Sequence, residues 1–273
     1  MRPRRRQRIV LRSTFERSLF EERRALVAWT LGLFTYAFVM TAIFPTIRDN
    51  PALKTIHSAY PEVLRSLFAI GDMTTGVGYL RVEVFSTVSP LLLIIFGALW
   101  GGDLTAGEED RGTIDLLLAN PLSRQRVVLE KWASLVTGLV VASLGLGLGA
   151  LVGIVVFDLG VSVSALTAAT VAVCLIGVLF GSLALAIGAS TGARGLARGV
   201  TTVLAVAAYL LSTLPDLVDW LRPFRPLSPW YHALGTDPLA SGFHLWHLGG
   251  VAVATVAVLG AAIVGFNRRD LGT

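Results

Sequence analysis

The chain has 273 residues, of which 54% are hydrophobic and only 15% charged, with a formal net charge of +5 and a mean hydropathy of +0.69. That balance excludes an ordinary soluble domain and marks an integral membrane protein. A single cysteine, Cys174, excludes an intramolecular disulfide and a cysteine-based metal site.

Residues 1–24 carry nine arginines against three glutamates. Phe15, Leu19 and Leu26 can line one side of a helix whose other side shows Glu16, Arg17, Arg23 and Arg24, which predicts an interfacial amphipathic helix on an anionic leaflet. Nucleic-acid binding by this arm is the weaker reading, because a short Arg-rich anchor is usually a topology signal. The apolar stretch that follows is too long for a cleaved signal peptide and lacks a small-x-small site, so it reads as a retained anchor.

Six stretches are long or apolar enough to span a hydrocarbon core, which needs about 20 apolar residues in a helix: 25–47, 84–102, 133–157, 163–189, the short 199–214 and 247–266. The segment 48–83 leaves room for a short helix around 61–70, then the flexible run G-D-M-T-T-G-V-G. The fifth span opens just after Arg198 and is closed by Pro215, so a tilted or broken helix fits as well as a straight one. Five prolines with Trp220, Trp230, Tyr231 and Trp246 give 215–246 the character of an interfacial segment. The tail, 267–273, opens with Asn267 and a basic Arg-Arg stop.

Basic residues fix the expected orientation, since cytoplasmic flanks are enriched in Lys and Arg. Segments 1–24, 103–132, 190–198 and 267–273 hold nine, four, two and two of the 23 basic residues, leaving six elsewhere. Both termini are therefore expected in the cytoplasm, with 48–83 and 215–246 outside and a six-helix transmembrane domain over 25–266. The acidic residues Glu83, Asp103, Asp158, Asp216 and Asp219 fall at or beyond span ends, so no span supplies the mid-membrane carboxylate of an ion-driven carrier. A P-loop is also excluded, because Lys54 and Lys131 follow Leu53 and Glu130 rather than glycine. His232, Asp237, His244 and His247 read as interfacial hydrogen-bonders, and no metal site is assigned.

The polar stretch 103–132, wedged between the second and third spans, is the one well-patterned cytoplasmic segment. Thr105 and Glu108 are spaced as a capping box. Glu108, Glu109 and Asp110 complement the start of a helix dipole. Thr113 can cap a second short helix carrying Ile114, Leu116, Leu117 and Leu118, which Asn120-Pro121 ends. Ser123 can cap a third, with Arg124, Arg126 and Lys131 toward lipid headgroups and Val127, Val128 and Leu129 leading back to the membrane. An exposed leucine triplet among charges is costly unless it docks into membrane or protein.

The run G-E-E-D-R-G-T-I-D-L-L-L-A-N-P-L-S-R-Q-R-V-V-L-E-K resembles the signature between the second and third spans of ABC-2-type permeases. The six spans, the run L-S-P-W-Y-H-A-L-G-T-D-P-L-A-S-G and the R-R-D-L ending extend the likeness. The resemblance implies an all-α, polytopic, six-helix fold of the type V exporter kind. It implies a non-catalytic permease that exports a substrate across the cytoplasmic membrane of a prokaryotic cell. It places ATP and Mg²⁺ on a separate cytosolic ATPase subunit, with no cofactor on this chain, and it implies a dimer with a second permease copy or paralogue. Carried over, Glu108, Arg111, Gly112, Thr113, Leu116 and Leu117 would face the ATPase as a coupling helix, while Pro121, Ser123 and Arg124 shape the turn. An ABC-type conformational transmitter or resistance module without transport is the nearest alternative, ahead of a membrane-embedded hydrolase or a scaffold. Gly145, Gly149 and Gly153 in the third span, and Gly177 and Gly181 in the fourth, recur at the four-residue spacing that lets helices approach closely. They suit packing within one subunit first and a subunit contact second.

Overall fold

The computed structural model describes residues 13–49, 73–107 and 123–269. Among them there is no strand, and six helices are long and apolar enough to cross a membrane.

Helix α1 (Thr14–Arg48) starts where the Ser13 hydroxyl accepts the Glu16 N–H at 3.1 Å, satisfying one of the amides a helix start leaves orphaned. Residues 14–24, expected as an interfacial helix, run without a break into the first span. At 1.5 Å per residue α1 is about 52 Å long against a hydrocarbon core of about 30 Å, so some four turns project beyond it.

Helix α2 (Gly76–Leu104) begins earlier than the expected span and takes in Gly76, Val77 and Gly78, the last three residues of the run read as flexible. The reason is a local cap: the Thr75 hydroxyl accepts the Gly78 N–H at 3.1 Å, and Gly76 lets the helix start press on the backbone of Leu159, where a Cβ would meet Leu159 O at 2.0 Å. A π-helical turn, Arg81–Phe85, follows. Glu83, expected outside the span, therefore lies within the helix. It precedes Asp103 by twenty residues, about 30 Å of helix, which puts it at the far edge of a hydrocarbon layer rather than in its middle.

Helix α3 (Arg124–Val156) is a single 33-residue element that carries the chain from the insert through the third span. Helices α4 (Val163–Thr191) and α5 (Arg194–Thr213) are joined by a tight turn in which Gly192, at φ +67°, donates its N–H to Gly188 O at 2.8 Å. Only glycine takes that left-handed conformation without steric cost. Helix α5 is unbroken, and 3₁₀ turns at Leu214–Asp216 and Asp219–Leu227 lead away from it. The short helices α6 (Pro229–Leu234) and α7 (Pro238–Ser241) precede the last span, α8 (Leu245–Arg268).

The most buried span is α4, packed against α2, α3, α5 and α8, while α1 lies along α3. Lipid tails are as apolar as leucine, so burial does not drive this association and close van der Waals fit must. Glycines supply that fit. A Cβ on Gly145, Gly149 or Gly153 would meet Thr30 O at 2.7 Å, Phe34 O at 2.2 Å or Thr41 Oγ1 at 1.6 Å, so this row seats α1 on α3. Gly177 and Gly181 seat α4 against α2, where Gly97 and Gly101 answer them: a Cβ on Gly97 would meet Gly177 O at 2.8 Å, and one on Gly101 Gly181 O at 2.2 Å. Both predicted glycine rows thus pack inside one chain, and the sequence reading missed the second half of one seam.

Candidate functional site

The residues flanking the 103–132 insert gather at one end of the bundle, where five of the six spans are tied together by polar side chains. Its entry is held by Asp103, at the end of α2. Oδ2 accepts from Arg198 Nη2 at 2.6 Å and Oδ1 from Arg194 Nη1 at 3.2 Å, both arginines standing in the first turns of α5. Gly102 leaves room for the Arg198 stem, whose Cγ would lie 3.2 Å from an added Cβ. The Gly192 turn is what delivers these arginines to Asp103, since it reverses the chain within two residues of Arg194.

The exit of the insert is held by the start of α3. Ser123 caps that helix as expected, accepting the Arg126 N–H at 3.3 Å. Lys131 does not face lipid headgroups. It is 2% exposed, and its ammonium donates to the carbonyl of Leu104 at the other end of the insert. A buried ammonium needs such a partner because the cost of stripping its water is several kcal/mol. Val127 and Val128, one turn earlier, are buried beside it while Leu129 faces outward.

Two further ties leave the same turn of α3. Arg124 Nη1 donates to Arg269 O at 2.7 Å and Phe266 O at 3.3 Å, carbonyls at the end of α8, where a cation also complements the helix dipole. Glu130 reaches the start of α1: Oε2 accepts from Thr14 N at 2.8 Å and Thr14 Oγ1 at 2.5 Å, while Oε1 accepts from Arg126 Nε at 2.8 Å. Glu130 precedes the apolar run that begins at Ala133. Burial pushes its carboxyl up, and the hydrogen bonds from Thr14, Arg126 and the Phe15 backbone outweigh that and hold it below the ordinary carboxylate range.

Of the residues singled out in the sequence, Glu108, Arg111, Gly112, Thr113, Leu116, Leu117 and Pro121 lie outside the described residues. Ser123 and Arg124 lie within, and Arg124 grips α8 in addition to standing at the turn. Thr105 closes α2, with its buried hydroxyl making no hydrogen bond among the described residues, and Glu108, its expected capping-box partner, lies outside them. The ties of Asp103, Glu130 and Lys131 went unpredicted, although each is a charge at the edge of an apolar run, the signal that could have found them. No group of three or more His, Cys, Asp or Glu residues placed to hold a metal ion occurs among the described residues.

The end opposite the insert has its own ion pairs, Arg81 with Asp237 at 2.9 Å and Arg225 with Asp216 at 2.9 Å. The described parts of all four basic-rich segments meet at the insert end, and the other end is bound by a separate set. Among the described residues, the site is a set of charge-assisted hydrogen bonds and ion pairs joining helix ends.

Residues 11–267 match the family model described as multidrug efflux system permease Rv1217c, C-terminal domain. No curated protein matches the chain.

Proposed function

The chain belongs to the Rv1217c C-terminal-domain family of multidrug efflux system permeases, and from that membership we propose that it is the transmembrane permease subunit of an ATP-binding-cassette exporter in a prokaryotic cytoplasmic membrane. ATP and Mg²⁺ are bound by a separate cytosolic ATPase subunit, and this chain carries no cofactor and performs no chemistry. Two permease copies, or this chain and a paralogue, enclose the path of an amphipathic small molecule. The insert end is cytoplasmic, consistent with 17 of the 23 basic residues falling in the four segments assigned to it.

The observation that supports this reading most is the fastening of the insert at both ends. A loop whose ends were free would absorb any push from a docked ATPase in its own backbone. Here Lys131 and Leu104 hold entry and exit together, Asp103 passes the load to α5, Glu130 to α1 and Arg124 to α8. Closure of the ATPases about bound nucleotide would then tilt several spans as one body, the differential movement that alternating access requires.

The test is a mild-detergent purification of the tagged protein from its native membranes, with co-purifying chains identified by mass spectrometry and a Leu116→Asp, Leu117→Asp variant in parallel. A Walker-motif ATPase that accompanies the parent and is lost from the variant supports the permease role and the docking segment together. Absence of any ATPase from the parent, under conditions that retain other membrane complexes, would overturn it.

A further inference from the structure

At the end of the bundle opposite the insert, two imidazoles from different elements meet. His232 of α6 and His247 of α8 place their Nδ1 atoms 3.1 Å apart, with ring centroids 5.3 Å apart and the planes at 40°. Both rings are half-buried. The Nε2 of His232 lies 2.7 Å from Pro226 O. A carbonyl only accepts, so Nε2 carries the hydrogen, and the Nδ1 of a neutral His232 presents a bare lone pair toward His247.

From this geometry we infer that the His232–His247 pair is a binding site for a borderline divalent transition-metal ion of the zinc class. Each step is set by the atoms in place. Nitrogens about 2.0–2.1 Å from one ion and separated by the observed 3.1 Å subtend about 100° at the metal, between octahedral and tetrahedral values. The bond from His232 Nε2–H to Pro226 O is the outer-shell partner that fixes tautomer and ring orientation in metal-ligating histidines. His247 Nε2 makes no hydrogen bond among the described residues, so the proton that His247 Nδ1 donates in the metal-free pair can move to Nε2 through solvent as the ion enters. No proton is lost and no charge beyond that of the ion is introduced.

The remaining coordination positions are filled by water, which makes the site one of modest affinity. Imidazole donors select Zn²⁺, Cu²⁺ or Ni²⁺ over Mg²⁺ and Ca²⁺, which favour oxygen. Tyr231 packs edge-on to both rings, at 5.6 and 6.0 Å, and the nearby Arg225 is neutralised by Asp216. His244 belongs to the same cluster but is turned away, with Nε2 2.9 Å from Ser241 Oγ, so it serves as the internal control. Bound metal would fasten α6 to the start of the last span. Binding itself does not depend on the permease reading; the inference that this end of the bundle faces outside the cell, so that the ion would reach it from there, rests on that reading.

The test is calorimetric titration of the purified, tag-free protein in detergent with Zn²⁺, with Mg²⁺ as the contrasting ion. We expect one Zn²⁺ per chain, affinity lower by at least about ten-fold in both His232→Ala and His247→Ala, no change in His244→Ala, and no Mg²⁺ binding. Gel-filtration profile and helical content establish that each variant is folded, and His247→Gln provides a second, less disruptive variant at the site. Zn²⁺ binding that survives in folded His232→Ala and His247→Ala, that is lost equally in His244→Ala, or that the parent lacks at millimolar ion would overturn the assignment. A failed ATPase co-purification with intact Zn²⁺ binding would sink the permease reading and leave this site standing.

Discussion

Alanine at Gly149 tests whether glycine contact, rather than apolar burial, holds α1 on α3. The added Cβ would sit 2.2 Å from Phe34 O and 2.9 Å from Phe34 Cα, whereas a carbon and a carbonyl oxygen rest at about 3.3 Å or more. The obstacle is backbone, which cannot rotate away, so the two helices must separate by about 1 Å at this point. A gap of that size forfeits a quarter to a half of the dispersion well for the atoms lining it, and forced overpacking costs about 1–3 kcal/mol. Alanine's better helix propensity returns about 1 kcal/mol, leaving a net loss of up to about 2 kcal/mol. The comparison is with Gly32→Ala on α1 and Gly260→Ala on α8, which have no atom within 4 Å of the new Cβ. Both should be neutral or slightly stabilising. Unfolding of the detergent-solubilised protein, followed by tryptophan fluorescence, measures all three under one condition. If Gly149→Ala unfolds together with the two controls, the helices are not held by this contact and the packing argument is wrong.

The insert base gives two more expectations. The Glu130 carboxyl is held below its ordinary range, so the stability it contributes is present above the unfolded-state pKa and is lost as pH falls through the lower folded-state value. The parent should therefore exceed Glu130→Gln in thermal stability at pH 7, and the difference should shrink on acidification below the ordinary carboxylate range; a difference that grows with acid refutes the sign. For Lys131, 2% exposed, Lys131→Met retains the packed stem and removes the ammonium with its charge-assisted bond to Leu104. That loss is at most about 2 kcal/mol, because an ammonium no longer has to be desolvated. Lys131→Ala adds a cavity and should lose about 2–4 kcal/mol in the same unfolding assay; equal losses would mean that the stem contributes no packing.

The sequence made the six spans, the Ser123 cap and the two glycine rows legible because each is a local pattern: an apolar run, a hydroxyl three residues before an amide, a four-residue repeat. Glu83 and Lys131 were misplaced for different reasons. Apolarity locates the hydrocarbon layer, whereas a helix ends where its hydrogen-bonding signals end, so Thr75 extends α2 beyond the apolar run and carries Glu83 into it. Lys131 was placed on the helix that Ser123 caps but turned toward headgroups, because no local pattern shows that the Leu104 carbonyl stands beside it. The ties at the insert base were hidden for a different reason. Asp103 and Arg198 stand 95 positions apart, and Thr14 and Glu130 116 apart, so only the three-dimensional order of the helices brings them together. That order is itself set by the glycine seams: α1 reaches Glu130 because Gly145, Gly149 and Gly153 lay it along α3, and α2 is held to α4 by Gly97 and Gly101 against Gly177 and Gly181, with the Gly192 turn then directing α5 back to Asp103. The charges that would carry force from the insert are thus positioned by residues with no side chain. It follows that a lesion at a glycine deep in the membrane should disturb the insert base as surely as loss of the ion pair itself.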